Sequence, residues 1–202
     1  MGPFGLRVTR RRGAGDVQAL ASVLLSAQEA QEMTAPGGID AAVLLAMFGH
    51  PEHAGLVFTE RRLDLRRHPG EISFPGGRQD HPDEHLVDTA LREADEEIGL
   101  SPSDVEVVGA LPPVGTFVTG YKVHPFVGTI PEGLRFRPNP SEVAAVLEFT
   151  LDQLRDGFAM RRLIRRGIPI RTPTYEVGEH MIWGATARIL ADLLERLGPP
   201  AD

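Results

Sequence analysis

The chain has 202 residues, a formal charge of -7 and no cysteine. That length suits one domain with a sizeable core, the missing thiols exclude disulfides and thiolate metal sites, and the acidic balance excludes broad affinity for nucleic acid. No apolar run approaches the roughly 20 residues of a membrane span, and the opening MGPFGLRVTRRRGAGD has arginines with no apolar stretch behind them, so a cytoplasmic protein that binds neither membrane nor nucleic acid is expected.

In residues 16–33, Val17, Leu20, Leu24 and Ala27 fall on one stripe, which predicts an amphipathic helix ended by Pro36-Gly37-Gly38. This N-terminal segment, about 1–40, is expected as an addition to a single domain spanning 1–202. Residues 41–48 and 55–59 predict two strands joined by a His50-Pro51-Glu52-His53 turn, a hairpin signal. Residues 71–74 form a short predicted strand leading into Pro75-Gly76-Gly77, and a helix follows over about 83–98. Further strands are predicted at 105–110, 122–130, 142–150 and 172–177, with a short helix at 151–157. Residues 182–197 predict a closing amphipathic helix, stopped by Gly198 and two prolines. Strands flanked by helices imply a layered α/β domain.

The segment from Phe74 to Leu100, FPGGRQDHPDEHLVDTALREADEEIGL, carries the chemistry. Its helix ends on Arg92, Glu93, Glu96 and Glu97, with Gly99 as the stop signal. At 3.6 residues per turn the three glutamates share one side of the helix. Carboxylates at that density repel one another unless a cation sits among them, and an all-oxygen set suits Mg²⁺ or Mn²⁺ rather than zinc. The plain alternative is a solvated acidic face in which Arg92 pairs with Glu96 at i, i+4. Against it, the cluster follows a Gly-Gly loop and lies late in the helix, where the macrodipole disfavours negative charge.

The segment resembles the Nudix box: glycine, five residues, glutamate, seven residues, then Arg-Glu-aliphatic-x-Glu-Glu-x-Gly-aliphatic. Arg92-Glu93-Ala94-Asp95-Glu96-Glu97-Ile98-Gly99-Leu100 fits the second half, with Ala94 as a small aliphatic position. In the first half, Asp83 stands at the acidic position after Gly77 and Glu84 falls one place late. The resemblance implies an α/β/α sandwich with a mixed sheet, and Glu93, Glu96 and Glu97 as ligands to metal that activates water against a diphosphate.

Upstream, Thr59-Glu60-Arg61-Arg62-Leu63-Asp64-Leu65-Arg66-Arg67-His68-Pro69-Gly70-Glu71-Ile72-Ser73 runs straight into Phe74-Pro75-Gly76-Gly77. It looks like the signature of the coenzyme A pyrophosphatase branch of that family, matched at Thr59, Arg61, Arg66, Gly70 and the whole FPGG. Val57 and Phe58 replace two usual leucines, and Arg62 stands where a small residue is usual. Two guanidinium groups beside a metal–diphosphate site suit binding of extra phosphate; the alternative is a solvated basic loop paired with Asp64 and Glu71. The resemblance thus implies substrate contacts by Arg61, Arg66, Gly76 and Gly77, and cleavage of coenzyme A into 3′,5′-ADP and 4′-phosphopantetheine. ADP-ribose or NADH are the alternative substrates, and a nucleotide-sensing module without catalysis is a different class, disfavoured by the intact glutamate set.

Weaker resemblance continues through Val123-His124-Pro125-Phe126-Val127-Gly128, Asn139-Pro140-Ser141-Glu142-Val143 and Ile182-Trp183-Gly184-Ala185-Thr186-Ala187. It singles out Glu142, since a carboxylate outside the box often completes the metal site or serves as base in this family. Glu96, Glu97 and Glu142 are the catalytic candidates; the alternative role for Glu142 is a turn charge. Trp183 is expected in the core at the start of the last helix rather than as a stacking platform. His81-Pro82-Asp83-Glu84-His85 also spells the H-x-x-E-H of some zinc peptidases. Pro82 at the first helical position would leave His81 outside the helix, so that chemistry is not expected.

Overall fold

The computed structural model describes residues 14–49, 53–65, 68–80, 85–116, 120–165 and 167–199. Its organising element is β1 (Ile39–Phe48), whose side chains alternate between two cores. Ala41, Leu45 and Met47 enter one core, and Ala42, Leu44 and Ala46 enter the other. A strand buried on both faces belongs in the middle of a covered sheet.

On one edge β1 pairs in parallel with β7 (Tyr121–Thr129) over its whole length. On the other edge it is shared antiparallel between two partners. Met47 and Phe48 pair with the start of β2 (Gly55–Arg61), while Ala41 to Val43 pair with β4 (Gly76–Arg78). β2 peels away to pair with β3 (Ile72–Ser73) and β8 (Val143–Thr150). The sheet therefore splits beside the middle of β1, and Pro75 enters the split, its carbonyl accepting from Leu44 N–H at 2.9 Å. β5 (Glu106–Ala110) and β6 (Val114–Gly115) complete the sheet against β7.

Helix α3 (Leu86–Ile98) and Ala30 of α2 (Ala27–Glu32) cover one face. The other is covered by α5 (Gly184–Leu197), α4 (Leu151–Asp156) and Leu20 of α1 (Ala14–Ala21). The result is the α/β/α sandwich with a mixed sheet that the resemblance implied. No helix among the described residues is long and apolar enough to cross a membrane.

Three expected elements come out differently. The single helix over 16–33 is two, because Leu25 leaves the helical path and exchanges backbone hydrogen bonds with Ala110 at 3.0 and 2.8 Å. Ser26 then starts α2 with a reciprocal cap: its hydroxyl accepts from Glu29 N–H, and the Glu29 carboxylate accepts from Ser26 N–H. The strand expected at 172–177 is the end of a longer β10 (Ile168–Val177), paired with β9 (Phe158–Arg165) and with β11 (His180–Ile182) in a separate three-stranded sheet. Because β11 takes up Ile182, α5 begins at Gly184, and Trp183 is its half-buried N-cap rather than a core residue. The β1–β2 hairpin is as expected, its turn residues 50–52 lying outside the described residues.

Candidate active site

Helix α3 meets the sheet through Leu86, Ala90, Ala94 and Ile98, one stripe at i, i+4 spacing. Ala90 and Ala94 are fully buried, so the helix packs against β1 and β4 through small side chains. Glu97 lies on this inward stripe and is only 6% exposed. Glu93, one turn earlier, is half-buried beside it, whereas Glu96 turns outward. Gly99 closes the helix in the left-handed region (φ 66°), where its N–H reaches the carbonyls of Ala94 and Asp95.

The glycine loop meets these carboxylates from the sheet side. Phe74 stacks on Phe58 with ring centroids 4.7 Å apart, which anchors the chain just before the turn. Gly76 N–H then donates to Glu97 Oε2 at 3.2 Å. A Cβ on Gly77 would lie 2.4 Å from the Glu93 carboxyl carbon and 2.5 Å from both its oxygens. The absent side chain is what gives the Glu93 carboxylate its place.

Burial pushes the Glu97 carboxyl up to about 7; the Gly76 hydrogen bond and the Arg61 charge oppose the shift, and the Glu93 and Glu142 charges add to it. Burial likewise raises Glu93, against the pull of Arg92. Arg92 lies 3.0 Å from Glu93, 3.3 Å from Glu96 and 3.5 Å from Asp80, so it links the half-buried Glu93 to the outer carboxylates through one guanidinium. The solvated-pair alternative for Arg92 and Glu96 is thus realised alongside the inward pair Glu93 and Glu97. Among the described residues no three acidic or histidine side chains are grouped tightly enough to hold a metal ion, and Arg92 stands between Glu93 and Glu96.

Arg61 ends β2, and its charge is felt at Glu97. The β2–β8 register slips between Glu60 and Arg61, and such a bulge re-aims the side chain that follows. Arg61 N–H donates to Glu71 C=O at 3.0 Å and its own carbonyl accepts from Gly70 N–H at 3.1 Å, so the returning loop holds it. Glu142 sits on the turn before β8, its side chain exposed and its charge felt at Glu97. The described structure therefore brings together Glu93, Glu97, Glu142, Arg61, Gly76 and Gly77, with Glu96 on the rim. Asp80 is an acidic neighbour that no sequence pattern singles out beyond its place in the glycine–helix loop. Arg66, Asp83, Glu84 and His81 lie outside the described residues, and His85 is the N-cap of α3.

The NUDIX domain model matches residues 39–167, from β1 to the tip of the β9–β10 hairpin. The chain belongs to the Nudix family. Proteins named uncharacterized Nudix hydrolase NudL, from Escherichia coli strain SMS-3-5 and from Shigella boydii serotype 18, are 42% identical over 160 residues, covering 78% of this chain and 82% of theirs. A MutT/nudix family protein from Enterococcus faecalis superposes with a TM-score of 0.54 over 79% of this chain and 61% of its own, at 11% identity, a likeness of fold alone. The chain is a Nudix hydrolase whose box spans the glycine loop and α3. By chemical type, though not by a ready-made cluster among the described residues, the donors suit a hard divalent cation: oxygen only, with a buried carboxyl beside a glycine cradle.

Proposed function

We propose that this Nudix hydrolase is a metal-dependent pyrophosphohydrolase that cleaves the diphosphate of coenzyme A into 3′,5′-ADP and 4′-phosphopantetheine. The supporting observation is that Arg61, in the coenzyme A-type motif, is held at the end of β2 by backbone bonds to Gly70 and Glu71, and its charge is felt at Glu97, which accepts from Gly76 N–H. In this reading residues 1–202 form one catalytic domain, with the segment before β1 as an addition.

Glu93 and Glu97, with Glu96 at the rim, would hold Mg²⁺ or Mn²⁺, which when bound neutralises phosphate charge and acidifies water. Glu97 must give up its proton to serve, and its raised pKa makes that release part of assembling the site. The Gly76-Gly77 backbone leaves room for the diphosphate to approach closely. Arg61 offsets charge that builds on the phosphoryl oxygens as water attacks phosphorus and the P–O bond breaks. Glu142, exposed at the edge of the same site, accepts the proton that the attacking water releases.

The two arginines have separable tasks. Arg61, whose charge is felt at Glu97, serves the diphosphate that all substrates share, so Arg61→Ala is expected to weaken turnover of coenzyme A and dephospho-coenzyme A equally. Arg66, which the motif assigns to phosphate, is expected on replacement by Ala to raise KM for coenzyme A about ten- to a hundredfold more than for dephospho-coenzyme A, the value of one charge-assisted contact. Steady-state kinetics on both substrates checks this. Equal losses in the Arg66 variant would remove it from recognition of the 3′-phosphate.

A further inference from the structure

We infer that Arg62 is a positioning residue, clamped by Asp64, that holds the turn 139–143 and so sets the Glu142 carboxylate against Glu97. The inference rests on the role given to Glu142 above. Arg62 belongs to this chain's own solution, since the resembling motif has a small residue at that position.

The turn is pinned at two ends. Toward α3, Asn139 N–H donates to the Glu97 carbonyl at 2.8 Å, and the Asn139 carbonyl accepts from Glu142 N–H at 3.1 Å and Val143 N–H at 2.9 Å. The Asn139 side chain accepts from Ser141 N–H and Oγ, which closes the turn on itself. Toward β2, Arg62 supplies the other anchor. Its N–H donates to the Glu142 carbonyl at 3.0 Å, and its Nη1 donates to the Pro140 carbonyl.

The remaining edge of the guanidinium is fixed by Asp64, with Nε to Oδ1 and Nη2 to Oδ2 both at 2.8 Å. This bidentate pair orients the planar group so that Nη1 faces Pro140; a lysine ammonium has no such fork. The Arg62 and Asp64 side chains are 41% and 66% exposed, so the pair itself contributes little to global stability. What it fixes is the backbone of the turn that carries Glu142, which is tied at its other end to the Glu97 carbonyl.

Arg62→Ala, Glu142→Gln and the double variant make the test, with Arg62→Lys alongside. Arg62→Ala is expected to lower kcat about tenfold, as a misplaced catalytic group does, with KM nearly unchanged and a melting temperature within about 2 °C of the parent. Arg62→Lys should lose as much. In the Glu142→Gln background the Arg62→Ala step should cost less than about twofold, because the group it positions is gone. In the metal-free protein, hydrogen exchange at the amides of residues 62, 142 and 143 should speed up about tenfold on Arg62→Ala.

Full activity in Arg62→Ala or Arg62→Lys, or an undiminished cost in the Glu142→Gln background, would overturn the inference. Unchanged exchange would overturn it too, whatever the kinetics. A parent protein that hydrolyses no diphosphate would defeat the proposed function, and the exchange measurement would still decide whether Arg62 holds the turn.

Discussion

Glu97→Gln is expected to lower kcat at least about a thousandfold, roughly 4 kcal/mol of transition-state stabilisation, while making the metal-free protein more stable. Both effects come from one feature, a carboxyl buried on the packing stripe of α3. The glutamine is nearly the same shape and keeps an oxygen for Gly76 N–H, so the helix still docks. It lacks the charge that a divalent cation needs.

The stability effect depends on pH with a definite sign. Folding raises the Glu97 carboxyl from its ordinary 4.5 to about 7. Between those values the folded protein binds the proton and the unfolded chain does not, so stability falls as pH rises through that interval. Above pH 7 the burial penalty is fully present, on the order of 3 kcal/mol. Glu97→Gln should therefore melt close to the parent near pH 4.5 and above it at pH 8, with Mg²⁺ or Mn²⁺ restoring the parent at pH 8. Thermal melts across that range, with and without metal, check it. A glutamine variant that melts lower than the metal-free parent at pH 8 would contradict the account of Glu97.

Adjacent glycines are expected to fail in opposite ways. A Cβ on Gly76 would lie 2.3 Å from the Ala42 carbonyl oxygen and 2.6 Å from Val43 Cα, at a φ of 155°. Those neighbours are backbone of the central strand and cannot move aside, so Gly76→Ala should cost about 3 kcal/mol or more. On Gly77 the three atoms nearest the new Cβ all belong to the Glu93 carboxylate, the end of a flexible side chain. Gly77→Ala should fold normally and lose about a hundredfold in kcat, because Glu93 is driven from its place. Circular-dichroism melts and turnover on the two variants separate the effects; normal turnover by Gly77→Ala would mean that Glu93 does not work from the position described.

Much of this arrangement was legible in the sequence, because local patterns fix it. The 86–90–94–98 spacing and Gly99 define α3, and alternation defines β1. Glu97 lies seven residues past Ala90 on the same stripe, yet a polar residue type conceals its burial until the packing is seen. Of the three glutamates treated as one group, Glu93 and Glu97 face the glycine loop while Glu96 turns outward to solvent, a distinction set by where the sheet lies. The break between α1 and α2 comes from a pairing of Leu25 with the distant Ala110, which no local window contains. Only the second half of β10 was legible as a strand; Pro169 argues against extending it backward, and without that extension β9 has no hairpin partner. Among the described residues β10 is paired on its second side from Tyr175 to Val177, so Pro169 and Pro173 sit along an edge where no ladder N–H is needed.

Product analysis with coenzyme A tests the central claim most directly. The protein is incubated with coenzyme A and Mn²⁺, and in parallel with ADP-ribose and NADH, and the products are resolved by chromatography and mass spectrometry. The predicted result is 3′,5′-ADP and 4′-phosphopantetheine in equal amounts, formed by the parent and not by Glu97→Gln. Intact coenzyme A beside cleaved ADP-ribose or NADH would contradict the substrate and leave a Nudix hydrolase of another nucleoside diphosphate.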